Sequence, residues 1–148
     1  MPEQTTSDIV VEAEAAAVMA VIADFGAYPQ WATGVKQTEI VQAGSPGRAA
    51  QVRFVLDASP IRDEYVLRYE WDDDTAVRWT LVEGRMLRGL DGAYLLDSLE
   101  GGTRVTYRLS VDVAIPMIGM LKRKAEKVII DAALKGLKRR VESGSAWR

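Results

Sequence analysis

From Val35 to Ala114 apolar and polar residues alternate with a period of two, and clusters of Gly, Pro, Ser and Asp interrupt the pattern at short intervals. VKQTEIVQA (35–43) stops at GSPG, and RAAQVRFVLDA (48–58) stops at Ser59-Pro60. In IRDEYVLRYEW (61–71), Tyr65, Leu67, Tyr69 and Trp71 share one face while Glu64, Arg68 and Glu70 share the other, and DDDT closes the segment. AVRWTLVEG (76–84) sets Val77, Trp79 and Leu81 on one face. MLRGLDGAYLLDSLE (86–100) is less regular, and the glycines between Arg88 and Gly92 predict a bulge. After the Gly101-Gly102 turn, GGTRVTYRLSVDVAI (101–115) places Val105, Tyr107, Leu109, Val111 and Val113 together. About six strands joined by short turns predict antiparallel pairing.

Helical periods flank this region. Thr5 to Ala13 has the β-branched content of a strand, and EAAAVMAVIADFGAYPQW (14–31) then repeats Val18, Val21, Ile22 and Phe25 at three- and four-residue spacing. No good N-cap precedes that helix, and Gly26 and Pro29 predict its end. PMIGMLKRKAEKVIIDAALKGLKRR (116–140) predicts the longest helix, with Pro116 near its first turn and a reach of roughly 38 Å. At 100° per residue Ile118, Leu121, Ala125, Val128, Ile129, Ala132, Ala133 and Gly136 form one stripe. Arg123, Lys124, Lys127, Lys135 and Lys138 lie opposite, and Leu134 falls off the stripe as a surface residue or partner contact. One apolar sheet face needs one cover, and only this helix is long enough, so an α+β fold with its core between the two follows. The stripe is thin. Small helix residues either interdigitate with large sheet residues in a dry core, which composition alone favours, or leave space for an apolar ligand.

At 148 residues, 48% apolar and 27% charged, the chain suits one domain over residues 1–148. It contains no histidine and no cysteine, which removes the commonest general base, thiolate chemistry and the usual zinc ligands, so no metal site is expected. GSPG and GLDG do not sit between a strand and a helix as a phosphate loop must, and Asp72-Asp73-Asp74 has the look of a turn rather than a calcium loop. The polar, acidic N-terminus and the shortness of the longest apolar run, Ala15 to Ala23, predict a cytoplasmic location. Charge is uneven: residues 1–116 hold ten Lys and Arg against eighteen Asp and Glu, and residues 117–148 hold nine against three. The basic helix face reads first as a solvated surface, with transient contact to an anionic membrane as a further option; the acidic remainder argues against nucleic acid. Without histidine, acid–base chemistry would fall to an Asp, a Tyr such as Tyr65, or an Arg that polarises a carbonyl. Arg53, Asp57, Arg88 and Asp91 stand in otherwise apolar strands, but alternation turns Arg53 and Asp57 away from Phe54 and toward water.

Four stretches carry a resemblance: VMAVIADFGAYPQWATGVKQTEIV (18–41), LRGLDGAYLLD (87–97), GGTRVTYRLSVDV (101–113) and PMIGMLKRKAEKVIIDAALKGLKRRVE (116–142). With the order of elements, they resemble the START-like (SRPBCC) superfamily and, within it, the polyketide cyclase/dehydrase-like branch. The resemblance implies a helix-grip fold, a curved antiparallel sheet wrapped around the C-terminal helix with an apolar cavity between. It implies ligand contacts from Phe54, Tyr65, Leu67, Tyr69, Trp79 and Tyr107 on the sheet and from Ala125, Ile129, Ala132 and Gly136 on the helix. An entrance is expected near Gly26–Gly34 and Gly84–Gly92, and no cofactor is expected. Members of the superfamily carry lipids, bind quinones, cyclise aromatic polyketides or, in one branch, act on ribosomes as toxins. The expected function is therefore binding of a hydrophobic small molecule: a lipid, an isoprenoid quinone or an aromatic polyketide. The alternatives are a polyketide cyclase or dehydratase working through cavity Asp, Tyr or Arg, and a ribosome- or protein-interacting module using the basic helix face. Nothing in the sequence sets an oligomeric state.

Overall fold

The alternating segments form one antiparallel sheet in a computed structural model that describes residues 4–32, 34–45, 47–58, 61–113 and 119–145. Its strands are β1 (Thr5–Val11), β2 (Val35–Gln42), β3 (Gln51–Ala58), β4 (Ile61–Asp72), β5 (Ala76–Gly84), β6 (Leu87–Leu99) and β7 (Gly102–Val113). They lie in the order β1-β7-β6-β5-β4-β3-β2, so five successive hairpins build the sheet and the first strand pairs with the last. Between β1 and β2 run α1 (Ala15–Ala23), a single 3-10 turn over Phe25–Ala27 and α2 (Tyr28–Trp31); α3 (Gly119–Ser145) follows β7. Pro29 lies in the first turn of α2, where its missing N–H costs nothing, so the break after α1 leads into a second, short helix.

Register shifts at Val35/Gln37, Ile40/Gln42, Val66/Leu67 and Leu87/Gly89 mark bulges, each of which bends its strand and increases local twist. The shift at Leu87/Gly89 falls where the paired glycines predicted one. The sheet curves as a result, and α3 lies in its concave side: a helix-grip α+β fold.

The facing of α3 departs from the expected stripe. Glu126, Ile130, Leu134, Leu137 and Val141 form the buried line, spaced by three and four residues. Leu134 is only 2% exposed, against the surface position expected for it, and Val128 is 55% exposed although the stripe placed it inward. Glu126 explains the rotation. Its carboxylate, in a residue 1% exposed, accepts from the Thr5 hydroxyl and from the Val111 N–H, each at 2.7 Å, and so pins the helix to β1 and β7. A polar residue at the start of the buried line disguised that line in the sequence. Further along, Lys138 donates to the Val10 carbonyl and to Glu142, which also accepts the Glu12 N–H. The hydrogen bond from Lys138 is the main reason that the Glu142 carboxyl sits below its usual range. Pro116 and Ile118 lie outside the described residues, as does the side chain of Leu121.

Candidate functional site

Strand register assembles an aromatic wall on the concave face. Phe54 pairs across strands with Tyr65, Tyr69 with Trp79 and Tyr94 with Tyr107. Directly opposed residues on one face sit close enough for their rings to meet. Phe54 and Tyr65 stack with centroids 5.5 Å apart, Tyr94 and Tyr107 meet at 4.7 Å, and Trp79 stands edge-on to Tyr107 at 5.6 Å. Trp79 is opposite Gly92, and its indole occupies the space that a Cβ there would need. From the other side the 3-10 turn and α2 bring Phe25, Tyr28 and Trp31 against this wall, with the Tyr28 and Trp31 centroids 4.8 Å apart.

These rings do not close on one another. A cavity of about 100 Å³ remains, bounded by Tyr28, Trp31, Ala32, Val35, Phe54, Leu56, Tyr65, Leu67, Tyr69, Trp79, Leu87, Leu90, Tyr94, Tyr107, Leu109, Val111, Ile129 and Ala133. All five tyrosines of the chain are on that boundary, and among the described residues no Asp, Glu, Lys or Arg is. The Tyr28 hydroxyl donates to the Ile22 carbonyl. The hydroxyls of Tyr65, Tyr69, Tyr94 and Tyr107 have no hydrogen-bond partner among the described residues, and neither does the buried Nε1–H of Trp31. Burial pushes all five phenols above their ordinary range, with mutual repulsion of the would-be phenolates adding to it; Tyr107 acts in this way on each of the other four. The cavity therefore presents neutral O–H groups on an aromatic wall, and its described boundary holds no group that is a base near neutral pH.

One buried carboxylate lies just behind the wall. Asp63 accepts the N–H groups of Glu64, Arg85, Met86 and Leu87 at 2.7 to 3.0 Å, tying the β5–β6 turn to β4 beside cavity residue Leu87. Its oxygens are spent on backbone, which makes it a brace for the wall rather than a proton carrier.

Residues 2–142 match the family described as polyketide cyclase / dehydrase and lipid transport. The chain belongs to this family. Solved structures agree on the fold. A START superfamily protein from Mycobacterium smegmatis superposes with a TM-score of 0.87 at 22% identity, covering 95% of this chain and 97% of that one. A protein from Thermus thermophilus gives 0.80 at 24% identity, covering 97% and 99%. The Zhui aromatase/cyclase of a Streptomyces species gives 0.78 at 15% identity, covering 96% and 94%. No curated protein matches the sequence.

In this polyketide cyclase / dehydrase and lipid transport fold, Phe54, Tyr65, Leu67, Tyr69, Trp79, Tyr107 and Ile129 all border the cavity. Ala125, Ala132 and Gly136 do not, although the thin stripe made them its helical wall. Ala125 is buried among packed side chains, Ala132 lies to one side, and Gly136 has a different reason to be small. A Cβ at Gly136 would collide with the Trp31 carbonyl oxygen, so the glycine admits the α2 backbone rather than a ligand. The helix reaches the cavity only through Ile129 and Ala133 among the described residues. Arg53, Asp57, Arg88 and Asp91 all lie away from it: Arg53 pairs with Glu39 and Glu64, Asp57 pairs with Arg62, and Arg88 and Asp91 are exposed. Sequence reasoning missed Tyr28, Tyr94 and the brace Asp63. Tyr94 sits in the irregular strand, where the bulge hides the alternation. Asp63 shares the phase of Tyr65, Leu67 and Tyr69, and that shared phase was the available signal.

Among the described residues no helix is long and apolar enough to cross a membrane, and no group of acidic side chains is arranged to hold a metal ion.

Proposed function

We propose that the protein binds a small aromatic or quinone-like molecule carrying oxygen acceptors, and that it does so as a binder rather than as an acid–base catalyst. The observation that carries this reading is a ring-lined cavity bordered by Tyr65, Tyr69, Tyr94 and Tyr107, whose hydroxyls have no hydrogen-bond partner among the described residues. A saturated acyl chain offers those hydroxyls no acceptor, and a donor left unpaired once a ligand seals it from water costs about 1 to 3 kcal/mol. A carbonyl or quinone oxygen accepts from them while its ring packs on Tyr, Trp and Phe faces. Among the ligand classes implied by the family, a quinone or aromatic polyketide thus suits the cavity better than a plain lipid tail. Size sets a limit as well. An engineered apolar cavity of about 150 Å³ holds benzene, so at about 100 Å³ this one takes a single ring only if its walls yield slightly. Anything larger requires Ile129 and Ala133 of α3 to move outward. A cyclase reading is weaker, because the raised phenols can polarise a carbonyl by hydrogen bonding but supply no base.

Acetophenone and ethylbenzene, nearly the same shape, differ in the acceptor. Calorimetric titration should show acetophenone binding about tenfold more tightly, with the difference falling in Tyr107→Phe. Equal affinities, or no binding by either, would overturn the proposal.

A further inference from the structure

A second depression of about 600 Å³, open to solvent, runs beside the cavity between α2, the start of β2 and the last turns of α3. Trp31, Ala32 and Val35 border both spaces, so the partition between them is one residue thick. The groove is also lined by Lys36, Arg139 and Arg140 and, among the described residues, by no carboxylate, in a chain whose acidic residues outnumber its basic ones by 21 to 19. Two other cations of α3 are engaged, Lys127 with Asp131 and Lys138 with Glu142, while Lys122, Lys124 and Lys135 have no ion pair among the described residues. Arg140 donates to the Gln30 side-chain oxygen at 2.9 Å, which holds its guanidinium against the groove. Lys36 and Arg139 have no acidic partner among the described residues.

The partition itself carries a donor without an acceptor. Trp31 is 9% exposed, and its Nε1–H is buried and unpaired among the described residues. Its Cε3 lies 3.4 Å from the place of a Cβ on Gly136, so the benzo edge faces α3 and the N–H edge is turned away from that contact. Reading outward, there is an aromatic cavity with neutral donors, then a buried N–H, then an uncompensated cationic groove. That gradient matches a molecule with a ring at one end and an anion at the other.

We infer that the groove receives a carboxylate joined by a short tether to the ring held in the cavity, so that the ligand is an aryl-alkanoate type of amphiphile. The inference rests on the cavity reading above and adds a charge and a direction to it. The carboxylate lies among Lys36, Arg139 and Arg140, the tether passes the partition at Trp31, Ala32 and Val35, and the ring meets the phenols.

The probes are phenylpropionate and its neutral isostere phenylpropionamide, with benzoate as a carboxylate too short to span the partition and acetophenone as a reporter of the cavity alone. At low ionic strength phenylpropionate should bind about tenfold more tightly than the amide, an advantage that shrinks as salt is added. The double variant Lys36→Gln/Arg139→Gln should erase the advantage and leave acetophenone binding unchanged; both side chains are exposed, so the fold has no need of them. Benzoate should gain nothing from the two cations. Equal binding of acid and amide, or an advantage that survives in the double variant, overturns the groove assignment while the cavity reading stands. Failure of acetophenone and of both phenylpropionyl probes to bind overturns the cavity reading and this inference with it.

Discussion

Alkali should unfold this protein through its tyrosines rather than titrate them in place. A phenol in water ionises near pH 10, and all five phenols here are held above that by burial. Below about pH 10 they are neutral in the folded and unfolded chain alike, so they contribute no difference. Above it the unfolded chain releases protons that the folded chain keeps, and stability therefore falls as pH rises. At about pH 11 each phenol favours the unfolded chain by on the order of 1 kcal/mol, and five together by on the order of 5 kcal/mol or more. Since ordinary domains are stable by about 5 to 15 kcal/mol, the fold should give way between about pH 11 and 12. The assay follows phenolate absorbance and far-ultraviolet circular dichroism on the same samples as pH is stepped upward. The two signals should change together in one cooperative transition, and Tyr107→Phe should move its midpoint upward by a fraction of a pH unit. Gradual phenolate formation near pH 10 with secondary structure intact would refute the reasoning. It would mean that water reaches the rings and that the cavity is a wet cleft, without the neutral donors on which the proposed ligand class depends.

Three substitutions test the packing that shapes the site. Gly136→Ala should destabilise in urea by about 1 to 3 kcal/mol despite Ala's advantage of about 1 kcal/mol inside a helix, because the new Cβ meets the Trp31 carbonyl; a stabilised variant would show that α2 does not press on α3. Leu134→Ala should cost about 2 to 5 kcal/mol and Val128→Ala less than about 0.5 kcal/mol, and the reverse order would put the helix back on the facing expected from its alanine stripe. Asp63→Ala leaves four backbone N–H groups without their acceptor and should lower stability by at least about 2 kcal/mol, with faster amide exchange confined to the β5–β6 turn; unchanged exchange there would remove its role as a brace.

The sheet side of the site was legible because alternation is a local signal. Tyr65, Leu67 and Tyr69 share a strand phase, and the same phase set Trp79 and Tyr107 inward on their own strands. Where the phase slips, legibility went with it. The shift at Leu87/Gly89 breaks the count from Leu87 to Tyr94, and the burial of Gly92 beneath Trp79 shows in neither strand alone. Tyr28 and Trp31 belong to a four-residue helix whose place over the concave face follows from contacts with Phe25, Phe54 and Gly136, all of them outside that helix.

The amino-acid sequence by itself determined the number and order of strands, which face of the regularly alternating ones turns inward, and the presence of one long covering helix. Those properties depend on neighbours a few residues apart. Only the tertiary structure decided how far α3 is rotated and whether a gap survives beneath it. Rotation was set by a carboxylate reaching two donors on distant strands, and the gap by rings from several elements that meet without filling the space between them. Both are matters of shape between segments far apart in the chain, and a linear pattern of apolar residues does not encode shape at that range.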